Sequence, residues 1–162
     1  MRCGVVVHVV VVVGCHADTL LLLVGTQEVA ETIEGLREVV RGSGSVVWSA
    51  GAGGGNPDRT YAVDRDAAIR SMDASVAEGV ERYVMVSWAG SHGDKPVPED
   101  NGLYNYAMAK LDADKHLVST DLDWTIVGPG TLTLDEPSGE IDVTREVGTA
   151  GAPTSRANVA QV

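Results

Sequence analysis

Apolar residues follow two rhythms along this chain. Short β-rich runs at 5–13, 20–24, 45–51, 82–87 and 123–127 have the length and branched or aromatic content of buried strands. Between them the apolar positions recur every three or four residues, as on one face of a helix. Val29, Ile33, Leu36 and Val40 do so within 27–41, Val63, Ile69, Met72 and Val76 within 61–80, and Leu103, Ala107, Leu111 and Val118 within 103–119. Thr26 stands where a cap for the first helix belongs, and Gly42 and Gly79 stand where the first two helices should stop. The alternation predicts an α/β protein, a mainly parallel sheet with helices on both faces, in which 46–49, 83–87 and 124–127 share one sheet. A short strand is expected over 139–143, and Ser155 is the expected N-cap of a closing helix.

The two leading runs raise the question of a membrane span. His8, His16 and Asp18 interrupt them, and neither reaches the roughly 18 apolar residues that a spanning helix needs. Strands are the better reading, with His8 a packing residue. The alternative is a short export signal, with Arg2 as its positive end and 12–15, VVGC, as a lipoprotein-like processing site.

Composition narrows the classes. The chain has 162 residues, enough for one domain with a real core, and no Phe, so that core must rest on aliphatic side chains and Met. A net charge of -11 excludes a basic nucleic-acid surface. Only 3 of the 12 basic residues are lysine, which fits an acidic, solvated surface adapted to high salt. Cys3 and Cys15 form neither a disulfide framework nor a metal set, so no metal site is expected and a reduced, cytoplasmic setting is.

Two stretches carry candidate chemistry. Tyr106 and Lys110 lie four apart, on one face of the third helix, where an ammonium near a phenol would depress its pKa and prepare it for proton exchange. Tyr104 lacks such a partner, since Met108 follows at that spacing. The second stretch is GAGGG at 51–55, a glycine-rich turn after a strand. Asn56 stands where the last glycine of G-x-G-x-x-G would be, and no Lys-Ser/Thr pair makes it a P-loop.

The order of strand ending in Ser87, polar loop, Tyr106–Lys110 helix, strand and Pro129–Gly130 resembles the short-chain dehydrogenase/reductase superfamily. More narrowly, YVMVSWAG, YNYAMAKLDADKHL, LDWTIVGPGTLT and TSRANVA resemble its atypical, NmrA-like NAD(P)H-binding members. The likeness spans 45–162, while 1–44 match poorly. It implies a Rossmann-like, doubly wound single domain over 1–162, incomplete at its end, and NAD(P) as cofactor, NADP ahead of NAD. It further implies Tyr106 as general acid/base, Lys110 as the group that tunes it and binds the nicotinamide ribose, and Ser87 as the hydroxyl orienting the reacting oxygen. Gly51, Gly53 and Gly54 would let the backbone approach the cofactor, and Pro129 and Gly130 would form the turn against nicotinamide. Apart from the resemblance, the 90–102 loop, with two prolines and several acids, is long enough to serve as a lid over a pocket, the alternative being a disordered surface loop.

The chain departs from that pattern at several places. No glycine cradle follows the first strand, and about 60 residues are needed for a βαβαβ half where 44 stand before the strand at Ser45. Trp88 occupies a place where many relatives carry a second Ser, and Gly128 one where an Arg is common. The implied function is an NAD(P)-dependent oxidoreductase acting on a small carbonyl, quinone or flavin-like acceptor. The alternatives are a non-catalytic NmrA-like nucleotide sensor, or an inactive truncated relative.

Overall fold

The computed structural model describes residues 9–15, 19–25, 32–53, 55–90, 97–140 and 153–162. Strands β1 (Val9–Cys15), β2 (Thr19–Gly25), β3 (Ser45–Trp48), β4 (Arg82–Val86) and β5 (Asp123–Val127) form one sheet in the order β2-β1-β3-β4-β5. The expected trio is parallel: Val46 pairs Tyr83, and Tyr83 pairs Trp124. β1, however, runs antiparallel to both its neighbours. The reason is length. Only His16, Ala17 and Asp18 separate β1 from β2, whereas a parallel connection needs a dozen residues or more. The sheet is therefore mixed rather than mainly parallel along its first half.

Alternation decides what each strand buries. Val46 and Trp48 of β3 and Tyr83 and Met85 of β4 point to one face and are fully buried there, while Val47, Val84 and Val86 on the other face are half-buried. Helix α1 (Ile33–Val40) brings Leu36 and Val40 to the same core. A continuous helical stretch of α2 (Pro57–Thr60), a π-helical segment (Tyr61–Ala67) and α3 (Ala68–Ala77) brings Val63, Ala67 and Met72. α4 (Tyr104–Val118) adds Ala113 and Leu117. Among the described residues these helices thus share one core with one face of the parallel strands.

Three apolar positions expected inside are outside: Val76 is 50%, Leu103 54% and Val118 52% exposed. In the 61–80 helix the buried stripe instead takes Ser71 and Ser75. Their hydroxyls donate at 2.7 Å to the carbonyls of Ala68 and Ser71, so neither arrives in the core with an unmet donor. Tyr83 also reaches Ser71 with its hydroxyl, and burial pushes that phenol well above its ordinary range.

Thr32 caps α1 by accepting the Gly35 N–H, while Thr26 lies outside the described residues. Gly42 and Gly79 take the left-handed conformation expected of helix-ending glycines. Near the end, β6 (Leu132–Thr133) pairs in parallel with β7 (Thr154–Ser155), and Ser155 caps α5 (Arg156–Val159). Gly139 and Glu140, placed by the sequence in a strand, are not in one; 141–143 lie outside the described residues. Among the described residues no helix is long and apolar enough to cross a membrane.

Met72 is fully buried at the centre of this core. Met72→Ala is expected to cost about 2–5 kcal/mol, seen as a lower urea midpoint at unchanged slope. A loss below about 0.5 kcal/mol would mean that the helix is not seated as described.

Candidate cofactor and proton-transfer site

The carboxyl ends of β3 and β4 open into a cavity of about 390 Å³, closed on one side by the first turns of α4. In open α/β sheets this edge is where ligands bind, because the chain leaves each strand there and frees backbone groups for recognition. Gly51, Asp64, Ser87, Tyr106, Lys110 and Leu132 are among its walls. Gly53 lines it too, in the left-handed conformation, whereas Gly54 lies outside the described residues.

Helical spacing brings Tyr106 and Lys110 into the cavity together, as their sequence positions imply. Lys110 is 3% exposed, and its ammonium lies 3.3 Å from Asp64 Oδ1, 3.4 Å from the Val86 carbonyl and 3.5 Å from the Ala50 carbonyl. It stands 5.9 Å from the centre of the Tyr106 ring. The phenol is not depressed as the spacing suggests. Burial first, then the charges of Asp64 and Asp114, push it up to about 12. Proximity to a lysine does little for a phenol when that lysine is already paired with a carboxylate.

Ser87 also lines the cavity, but its hydroxyl donates to Asp114 Oδ2 at 2.6 Å. Its proton is thus directed at α4, not at an oxygen in the cavity. Trp88, the next residue, packs its ring 5.9 Å from that of Tyr106 at a tilt of 57°. Pro129 and Gly130 are not among the cavity walls; the Ala89 N–H donates to the Pro129 carbonyl at 3.0 Å. The same close approach accounts for Gly128, where a Cβ would sit 3.3 Å from the backbone of Trp88 and Ala89. An arginine there would have to displace that backbone.

Asp64 was not singled out in the sequence, although a signal exists. It falls on the buried stripe that includes Ala67, Ala68 and Ser71, where an acid is unexpected unless paired. Its other oxygen, Oδ2, accepts the Ala52 N–H at 3.0 Å, tying the glycine-rich turn to the helix. Among the described residues no cluster of His, Cys, Asp or Glu is suited to hold a metal.

A glycine cradle for phosphates would have to stand at this same edge. β1 points away from it, since Val11 pairs Trp48 and Gly14 pairs Ser45, so the carboxyl end of β1 lies at the opposite end of β3.

Residues 21–162 match a family model described as NAD(P)H-binding. The match starts within β2, further upstream than the resemblance read at 45–162, and leaves β1 out. A Bacillus subtilis protein described as an uncharacterized sugar epimerase is 30% identical over 128 residues, covering 76% of this chain and 59% of its own length. Two solved structures are similar in fold. One is a putative NAD-dependent epimerase/dehydratase from Bacillus halodurans, 29% identical, with a TM-score of 0.71 over 77% of this chain and 58% of that one. The other is an oxidoreductase from Lactococcus lactis, 30% identical, with a TM-score of 0.69 over 82% of this chain and 59% of that one. The chain thus spans a little over half the length of each of these three relatives.

Proposed function

We propose, on the premise that this chain belongs to the NAD(P)H-binding family of Rossmann-like, atypical short-chain dehydrogenase/reductase proteins, that it is a reductase of small carbonyl, quinone or flavin-like acceptors. The observation that carries this reading is the convergence of Tyr106, Lys110 and the glycine-rich turn on one cavity at the strand ends.

The residues present suit the nicotinamide-ribose half of the cofactor. The three contacts of Lys110, to the Ala50 and Val86 carbonyls and to Asp64, are all long at 3.3–3.5 Å, so the ammonium can turn one of its donors to a sugar hydroxyl, and the turn at Gly51 and Gly53 keeps side chains out of the cavity. When bound, a reduced nicotinamide supplies the hydride. Tyr106 would give its hydroxyl proton to the acceptor oxygen as the acceptor carbon or nitrogen gains that hydride, and would be reprotonated from solvent. Burial and the charges of Asp64 and Asp114 keep this phenol protonated at neutral pH, the form a donor needs, while making it a weaker acid. Ser87 is committed to Asp114, which leaves Tyr106 as the donor we assign. NADP is our favoured form of the cofactor, small molecules are the partners and the cytoplasm is the proposed site of work.

The direct test follows NADPH and NADH oxidation at neutral pH with aldehydes, ketones, quinones and free flavins. Turnover with one class supports the reading; nucleotide binding with no turnover in any class would favour a non-catalytic sensor. Lys110→Met should weaken nucleotide binding and turnover together, each by about 10- to 100-fold, the worth of one hydrogen bond from a charged donor. Unchanged binding by a folded Lys110→Met protein would remove the lysine from the cofactor site.

A further inference from the structure

Asp64 is 1% exposed, yet nothing in the reaction proposed above requires a carboxylate at that place. It sits on the π-helical segment Tyr61–Ala67, and such wide turns inside helices recur at functional sites. Burying a carboxylate is costly unless it is paired. Here Oδ2 takes the Ala52 N–H, and Oδ1 lies 3.3 Å from Lys110 Nζ without receiving a directed hydrogen bond. Space is reserved for that oxygen, since a Cβ on Gly51 would come within 3.2 Å of it.

Lys110 is consequently held by three oxygens from three elements: Ala50 after β3, Val86 at the end of β4, and Asp64 on the π segment. We propose that Asp64 is a positioning residue: as the buried counter-ion of Lys110 it holds the ammonium against the ends of β3 and β4 and withholds its charge from Tyr106. The geometric part of this stands by itself; its meaning for turnover rests on the reductase reading.

The charged groups around the pair support it. α4 presents Tyr106, Lys110 and Asp114 to this region, while β3 and β4 contribute carbonyls and Ser87. On the helix of Asp64 itself, Arg65 and Asp66 pair with each other at 2.6 Å toward solvent. Among the described residues the buried set holds two carboxylates, Asp64 and Asp114, against one ammonium. Both carboxylates raise the Tyr106 phenol after burial has done so. Neutralising Asp64 removes one of these charges and frees the ammonium, and both changes favour the phenolate. The sign is therefore fixed: the phenol of Asp64→Asn must titrate at lower pH than that of the wild type.

The test uses cofactor-free protein labelled with 13C at the tyrosine ring, with the Tyr106 signal identified by its loss in Tyr106→Phe. In the wild type that signal should stay at its neutral position up to about pH 10.5, and in Asp64→Asn its midpoint should fall by about one pH unit or more. Circular dichroism over the same range reports whether each protein is folded. Asp64→Thr, smaller and still able to accept the Ala52 N–H, serves as a second neutral variant. If turnover has been found, its alkaline limb should move down with the phenol. If no acceptor is ever reduced, the signal alone decides the role of Asp64, so the two readings fail separately. A midpoint equal to that of the wild type in a folded neutral variant overturns the proposal. So does failure of both neutral variants to fold, which would assign the carboxylate to stability alone.

Discussion

Tyr106→Phe is expected to lower nicotinamide-dependent reduction by about 10²- to 10⁴-fold, the usual worth of a positioned general acid. It should leave the affinity for NADPH within about a factor of two, since no hydrogen bond worth the roughly 1 kcal/mol typical of one is assigned between this hydroxyl and the nucleotide. Only one oxygen is removed, and the ring keeps its contacts with Trp88 and with the Lys110 ammonium. The pH dependence follows from the same geometry. With the phenol at about 12, wild-type reduction should stay flat from neutral pH to about pH 10, because the acid form persists throughout. Initial rates at saturating acceptor, with binding measured in parallel by nicotinamide fluorescence, check both statements. A Phe variant with full activity would return this helix to an ordinary buried face.

Binding of the intact dinucleotide is expected to be weak, with a dissociation constant in the high micromolar to millimolar range. Each charge-assisted hydrogen bond missing at the pyrophosphate costs about 1.5–3 kcal/mol, so two of them suffice to turn a micromolar binder into a millimolar one. The carboxyl end of β1 stands at the wrong edge of the sheet to donate them. β2 does end at the right edge, its Gly25 beside Val9, but β1 lies between it and the cavity. The residues that follow Gly25 bring Glu28 and Glu31 rather than glycines. The mononucleotide half, reduced nicotinamide mononucleotide, should therefore bind within about tenfold of NADPH, since the adenosine and pyrophosphate half adds few contacts. Competition between the two, read by fluorescence, tests this. Sub-micromolar NADPH binding, or an ADP-ribose fragment that competes as well as the mononucleotide, would show that a phosphate cradle exists.

Much of the architecture was legible before any coordinates. The bounds of β5 and of the third helix fall within a residue of those the sequence predicts, and Gly42, Gly79 and Ser155 punctuate the chain where their chemistry predicts. Tyr106 and Lys110 reach one cavity because helical spacing alone puts them on one face. Such features depend on a window of a few residues. They survive whatever the rest of the chain does, which is why the family match could be anticipated from 45 onward.

What local pattern could not decide was direction and environment. The valines of β1 announce a strand, and its three-residue link to β2 requires an antiparallel partner there, but propensity is blind to its pairing with Ser45–Trp48, which moved its end away from the cavity. Spacing gives the distance from an ammonium to a phenol, yet a pKa answers to every nearby charge and to burial, and Asp64 comes from a helix more than forty residues upstream. The hydroxyl of Ser87 was visible as a residue, not as a donor already taken by Asp114. The sequence by itself determined which elements form and which side chains carry chemistry; the tertiary structure alone decided which strand faces which way and who holds each charge, because those are sums over contacts between residues distant in the chain.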